Sequence, residues 1–395
     1  MKASSTLPLP IPPPSQRTTP RRHWSSSLAA VPLLASLSPI QAQTLHLLPP
    51  LPQGASTYPS GVSADGSVVA GTSFFPSGDA DRAFTWTSAG GSQAVNGAPV
   101  SFGQGISGDG QTVVGLAFDE NFNTWAYRHR NGTMESLGSL DGTGFNAIAN
   151  DVSHDGTAIT GQSTLNGNER AFRWTEADGM KDLGLLKDGS YALGLGISGD
   201  GAVLVGNADT GGASRAFRWT EAGGMKELGT LTGSKFDGAY AISATANTIV
   251  GLSAGQAVRW LDGTAQSLGP LADMKFTSAW AVSGDGQLIG GSSYGSPTRG
   301  AEAFVWTPST GMLILEDVLT ARGIDLTGWE LEWLTGISAD GSTLVGIGAY
   351  NGEAAGWAIT GLTAIPEPTA LASAVGLLGF GFAFARFGSR RKPRN

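Results

Sequence analysis

Three regularities predict an all-β chain folded as a closed seven-bladed β-propeller of four-stranded blades with terminal strand closure. An Ile/Val-Ser pair with Gly nine residues after its first position occurs seven times, and the copies recur at a period near 46 residues. A further segment has six copies inside the repeats and its seventh at the opposite end of the chain. The period is that of a propeller blade, and the displaced copy is what closing a ring requires.

The first two strands come from the nine-residue unit, at Val62/Gly71, Ile106/Gly115, Val152/Gly161, Ile197/Gly206, Ile242/Gly251, Val282/Gly291 and Ile337/Gly346. Six units contain Asp-Gly, as in GISGDGQTVVG at 105–115. Asp-Gly between short β-branched runs marks a tight hairpin turn, because Gly accepts positive φ and Asp bonds the local backbone. The residue before each Ile/Val is Gly61, Gly105, Asp151, Gly196, Ala241, Ala281 or Gly336. Small residues there fit an innermost strand crowded about a narrow axis, with Asp151 as the exception beside the channel.

The third strand is Ala-Phe-x-Trp or a relative of it, as at Ala83–Trp86, Ala171–Trp174, Ala216–Trp219 and Ala303–Trp306. Residues two apart share a strand face, so Phe and Trp point to the core and the residue between them, often Arg, points away. The fourth strand is expected in MKDLGLL, 180–186, with relatives at 134–140, 225–231, 267–271, 93–96 and 312–319. TLHLLPPL at 44–51 stands alone before the first unit, and the last copy ends near residue 360 without a fourth strand. A linear solenoid would have no reason to take its last strand from the chain's start. The insertion 315–341 reads as a short helix ended by Gly323, then an edge strand.

Composition agrees. The 395 residues include 59 Gly and 20 Pro, with hydrophobic residues at 41%, which favours a turn-rich β protein over disorder. There is no Cys, hence no disulfide frame and no thiolate chemistry. Nine of the 24 basic residues lie in residues 1–43 and 386–395, which hold no acid, so the rest carries 32 acids against 15 bases. So acidic a body excludes nucleic acid as a partner, since phosphate contacts need clustered Lys and Arg.

Both ends read as addresses, dividing the chain into a leader at 1–43, a propeller at 44–362 and a sorting segment at 363–395. The basic, acid-free start followed by LAAVPLLASLSPIQAQ at 28–43 has the order of a signal peptide with a cut after Ala42. Residues 370–385 are sixteen uncharged, mostly apolar residues followed by a basic cluster. They are expected to form a transmembrane helix extended by a snorkelling Arg386, with the basic tail cytoplasmic and the body outside. Pro366-Glu367-Pro368 directly before that span resembles the PEP-CTERM sorting signal of exported proteins of Gram-negative bacteria, with Ile365 where the family usually has Val. The resemblance implies export, a transient stay in the inner membrane, recognition by an exosortase and the secretion machinery, and delivery to the cell surface or matrix. The repeats, RAFRWTEADGMKDLG with ISGDGAVLVG, resemble the HAF repeat family of exported bacterial proteins over about residues 44–362. That resemblance adds location and no reaction.

No motif names a catalytic centre. His46, His129 and His154 lack zincin spacing, and no nucleophile elbow, P-loop or dinucleotide fingerprint is present. The repeated turn carboxylates Asp65, Asp109, Asp155, Asp200, Asp285 and Asp340 are the weak candidates for calcium, but one per turn falls short of the 6–8 oxygens that ion takes. No cofactor is expected. The stretches between second and third strands vary most: 73–82, 116–124, 162–170, 207–215 and 292–302. In a propeller they emerge on one face, and variable loops on a rigid scaffold are where recognition lives. Phe118, Asp119, Glu120, Phe122 and Tyr294 are the candidate binding residues, for an extracellular polysaccharide or another surface protein. The expected role is therefore non-catalytic binding or structure at the cell surface. The alternative is a polysaccharide hydrolase or lyase using carboxylates in the central channel.

Overall fold

The structure, a computed structural model, describes residues 43–76 and 81–362. The leader cut after Ala42 and the sorting segment with Pro366, Glu367 and Pro368 lie outside the described residues. Seven four-stranded antiparallel sheets form the blades. Blade I is Ser56–Val62, Val69–Phe74, Arg82–Thr87 and Gly91–Ala94, and blades II to VI repeat that order. Blade VII consists of Trp329–Ile337, Leu344–Tyr350 and Glu353–Thr360, completed by Thr44–Leu48 from the chain's start. The pairing runs from Thr44 opposite Thr360 to Leu48 opposite Gly356, so the displaced fourth strand is where the sequence places it.

A second closure lies at the other edge of the blades. Seven backbone hydrogen bonds of 2.9–3.3 Å run from one first-to-second-strand turn to the next, six of these turns holding Asp-Gly: Ala64 to Gly108, Asp109 to His154, His154 to Gly199, Gly199 to Ala244, Thr245 to Gly284, Gly284 to Ala339, and Ala339 back to Ala64. The circuit is complete, so both the outermost and the innermost strands tie the last blade to the first.

Every first strand carries a β-bulge at the same place, the residue two before the repeat's Ile/Val. The residue after the bulge faces the neighbouring blade's backbone. A Cβ on Gly196 would sit 3.2 Å from the Ala241 Cα, and one on Gly336 3.4 Å from the Gly61 Cα. Crowding at the axis thus explains the small residues.

The core is divided into seven clusters, one at each blade-to-blade seam. Third-strand Phe84, Phe172, Phe217 and Phe304 are fully buried there, with Trp86, Trp174, Trp219 and Trp306 beside them. The outward arginines cover neighbouring rings: the Arg128 guanidinium lies 4.8 Å from the Trp174 centroid and that of Arg259 4.7 Å from Trp306.

The fourth strands depart from expectation. In blades I to VI they are four residues long and start earlier, as in Gly179–Asp182 and Thr264–Ser267. In MKDLGLL only the first three residues pair. Leu183 and Leu186 instead turn inward and fill the seam with blade IV, and it is this burial that makes them repeat. The stretch 162–170 is also no loop: Ala158–Leu165 and Asn168–Thr175 meet at the two-residue turn Asn166-Gly167, both residues at positive φ. The insertion forms the helix Leu315–Ala321, then Gly323 at φ +77° and the innermost strand of blade VII, an edge of its sheet.

Candidate functional site: the aromatic mouth of the central channel

A bulge re-aims a side chain. Here the seven bulged residues, Ser60, Gln104, Asn150, Leu195, Tyr240, Trp280 and Thr335, form a ring that lines the central channel. Three of the four polar members are used to join blades. Ser60 Oγ donates to the Gly103 carbonyl (2.9 Å), Asn150 Nδ2 to Gly194 (2.7 Å), and Thr335 Oγ1 to Pro59 (2.7 Å). The fourth, Gln104, makes no side-chain bond to the described residues and lines the opening.

Two residues earlier in the first strands, Tyr58 and Trp333 reach the same opening, a cavity of about 410 Å³. Tyr240 stacks on Trp280 with centroids 4.3 Å apart and planes 11° from parallel. Trp280 lies 6.1 Å from Trp333, Trp333 6.3 Å from Tyr294, and Tyr294 5.3 Å from Phe276. Trp280 Nε1 donates to Ser292 Oγ at 3.0 Å, which fixes its ring plane. The result is an arc of five rings across blades V to VII, with Phe276 and Tyr294 exposed at its outer end. Burial and the neighbouring Tyr294 push the Tyr240 hydroxyl up to about 12, so it stays a neutral donor.

The arc sits on the loop face. Phe276 pairs with Tyr294 at the end of the hairpin opposite the Asp-Gly turn. A smaller aromatic group, Phe74, Phe102 and Phe118, lies on the same face in blades I and II, with centroids 6.1–6.2 Å apart.

The candidate binding residues therefore separate. Tyr294 belongs to the arc and Phe118 to the smaller group. Asp119 is spent inside its own loop, accepting from the Asn121 and Asn123 N–H groups and from Asn123 Nδ2. Glu120 is exposed, and Phe122 projects with 79% of its surface free. Tyr240, Trp280 and Trp333 were missed, because Trp in this chain reads as third-strand core. Their signal is a break in the repeat, two or four residues before Ile/Val.

The turn carboxylates are held locally. Ser63 Oγ donates to Asp65 (2.7 Å) and the Ser67 N–H to the same oxygen (3.0 Å), and the pattern recurs at Asp109, Asp155, Asp200, Asp285 and Asp340. Of the histidines, His46 lies in the closing strand, 3.0 Å from Thr360 Oγ1 and tilted against Trp86. His129 is half-buried in a third strand, and the His154 backbone belongs to the turn circuit.

Asp151 lines the deep channel. Its carboxylate accepts from the Val152 N–H (2.8 Å) and, across the seam, from the Ile197 N–H (2.9 Å). Burial pushes it up to about 6 although both N–H groups pull it down. Its folded value thus exceeds the roughly 3.9 of an unfolded chain. The fold binds the proton more tightly, so the stability linked to this group is greatest below about pH 4 and is lost as pH rises to about 6. The difference in melting temperature between the wild type and Asp151→Asn should fall across that window and stay constant above about pH 7; a flat difference from pH 4 to 7 contradicts it. The turn carboxylates act oppositely: the Ser63 hydroxyl holds Asp65 below its ordinary value and Ser198 does so for Asp200, so their contribution disappears on acidification.

No protein-family model matches the chain, and no curated protein matches it in sequence. The fold is nonetheless shared. An oligogalacturonate lyase in complex with manganese superposes with a TM-score of 0.52 at 12% identity, over 82% of this chain and 93% of that one. The oligogalacturonate lyase of Vibrio parahaemolyticus gives 0.51 at 10%, over 80% and 93%. TolB from Acinetobacter baumannii gives 0.44 at 17% over 62% of each chain, so this chain spans less than two thirds of that protein. Likenesses at such identity show the propeller scaffold and nothing of its chemistry.

Proposed function

We propose that the chain is an exported propeller that is sorted by an exosortase and displayed at the cell surface or in the matrix to bind a ligand through its loop face. The observation that carries this is the placement of the two ends of the folded body. Thr44 and Thr360 pair at one end of blade VII, and the Leu362 N–H donates to the Ser342 carbonyl in the Asp-Gly turn of that blade. Both ends leave from the turn face, while the aromatic mouth opens on the opposite one. A body held by its C-terminal segment, as the Pro366-Glu367-Pro368 signal implies, would turn the mouth away from the membrane.

The channel's carboxylate chemistry favours binding over turnover. Asp151 is the one carboxylate lining the channel among the described residues, and its oxygens are occupied by backbone donors. Glycoside hydrolysis uses two carboxyl groups about 5 to 9.5 Å apart across the scissile bond.

Display is testable because the chain has no cysteine. In intact cells, Phe122→Cys on the loop face should react quickly with a membrane-impermeant maleimide, and Gln287→Cys on the turn face slowly. Equal rates, or labelling only after lysis, would contradict the proposal.

A further inference from the structure

We infer that the arc formed by Tyr240, Trp280, Trp333, Tyr294 and Phe276 is a binding subsite for a neutral polysaccharide, which stacks its pyranose rings on the aromatic faces and enters the channel mouth at Gln104. The inference rests on the binding reading above and names its ligand class.

The chemistry of the surface selects the ligand. An aromatic face carries a negative quadrupole, and the C–H groups on one side of a pyranose, polarised by adjacent oxygens, present a positive, water-poor face to it. Tyr240 and Trp280 cover one face of each other and act as a single platform, and Trp333, Tyr294 and Phe276 follow at centroid spacings of 5.3 to 6.3 Å, which makes an extended track in place of a pocket for one ring. The stacking and the Trp280 bond to Ser292 hold the inner rings in place before a ligand arrives, which lowers the ordering cost of binding. Such a row of partly exposed aromatics serves packing poorly, since Phe276 and Tyr294 keep 44% and 38% of their surface free.

The polar groups at the mouth match hydroxyl groups. Gln104 offers a donor pair and an acceptor that no described residue uses, and it faces the same cavity as Tyr58, Tyr240, Trp280 and Trp333. A sugar hydroxyl is both donor and acceptor and satisfies either end of an amide. Charge at the mouth disfavours the acidic polysaccharides: among the described residues no Lys or Arg lines it, Glu330 and Glu332 precede Trp333 on its own strand, and Lys275 lies outside it, beside Phe276 at the arc's outer end. Uronate carboxylates would meet no cation at the mouth, and the two acids add negative charge to the strand that carries Trp333. A cavity of about 410 Å³ is within the usual range for a small-ligand site and would take one end or one kink of a chain.

The test uses the full chain purified in detergent, titrated with cellohexaose, xylohexaose, maltohexaose and, as the acidic control, polygalacturonate. Intrinsic Trp fluorescence reports occupancy at Trp280 and Trp333. At least one neutral hexaose should shift the emission. Trp333→Ala and Tyr294→Ala should each weaken that binding tenfold or more, Gln104→Leu several-fold, and Gln287→Ala on the turn face not at all. Tyr294 is exposed, so Tyr294→Ala keeps the test valid if Trp333→Ala fails to fold. Binding of polygalacturonate alone, binding that survives both aromatic substitutions, or no binding of any probe would overturn the inference. Each of those results leaves the maleimide pattern of a displayed loop face unchanged, so the two readings fail separately.

Discussion

Gly161→Ala should cost the propeller on the order of 4 kcal/mol or more, enough to populate the unfolded state in a fold whose whole margin is roughly 5–15 kcal/mol. The reason is local and occurs in all seven blades. Glycine nine residues after the Ile/Val sits in the second strand, opposite the first strand just before its bulge. A Cβ there would collide with the carbonyl oxygen thirteen residues earlier: Tyr58 for Gly71, Phe102 for Gly115, Ile148 for Gly161, Leu193 for Gly206, Gly238 for Gly251, Ser278 for Gly291 and Trp333 for Gly346. That oxygen belongs to a paired strand and cannot swing aside as a flexible side chain would. Relief requires removing the bulge, which would also withdraw Asn150 from its bond to Gly194 and turn it out of the channel ring. Ala at the exposed hairpin glycine Gly167, where a Cβ meets nothing within 4 Å, is the control; positive φ there limits its cost to about 1 kcal/mol. Melting by circular dichroism checks both, and equal small losses would remove the steric account of the repeat.

This collision also shows what was legible in the sequence. Gly, Ile/Val and Phe/Trp recur because every blade meets the same backbone at the same offset, so blade number, strand order and closure follow from the repeats. The bulge is invisible, since the residues occupying it face the channel and share no side-chain type. The first-strand tryptophans were hidden by the third-strand ones: Trp280 and Trp306 lie in one blade, one at the mouth and the other in the core. The reading of MKDLGLL as a strand over its whole length failed beyond Asp182 for a related reason. Leu183 and Leu186 repeat because they fill a seam, and seam filling has no strand periodicity to separate it from pairing. Tyr294 was found because it stands in a stretch that varies among the copies, and the same logic applied two residues before each Ile/Val would have found Tyr240 and Trp280.

Deleting residues 44–48 should lower the melting temperature by on the order of 10 °C, more than any single fourth strand's length would suggest. The strand buries Leu48 completely against Val69, Phe84 and Trp86 of blade I, while Leu45 packs on the cluster containing Trp357 and Ile359. Losing the full burial of Leu48 and the partial burial of Leu45 costs about 2 to 4 kcal/mol, and the five-residue ladder to Glu353–Thr360 goes with them. The effect extends beyond blade VII because that blade holds the junction. Without Thr44–Leu48, the last repeat is joined to blade I by the first-strand contacts, by Val345 and Ala358 packing in the seam with Val69, Phe84 and Trp86, and by the Ala339–Ala64 turn bond. An open array would respond differently, shedding a terminal strand at the cost of one nearest-neighbour term. A covalent clasp tests the same junction from the other direction. Thr44→Cys with Thr360→Cys places two thiols on directly opposed residues of an antiparallel pair in a chain that has no other cysteine. Oxidation would close a loop of more than 300 residues and should raise stability by about 2 to 4 kcal/mol, reversibly with reductant. A deletion that leaves melting unchanged, together with a disulfide that adds nothing, would mean that the ring does not depend on this strand for closure.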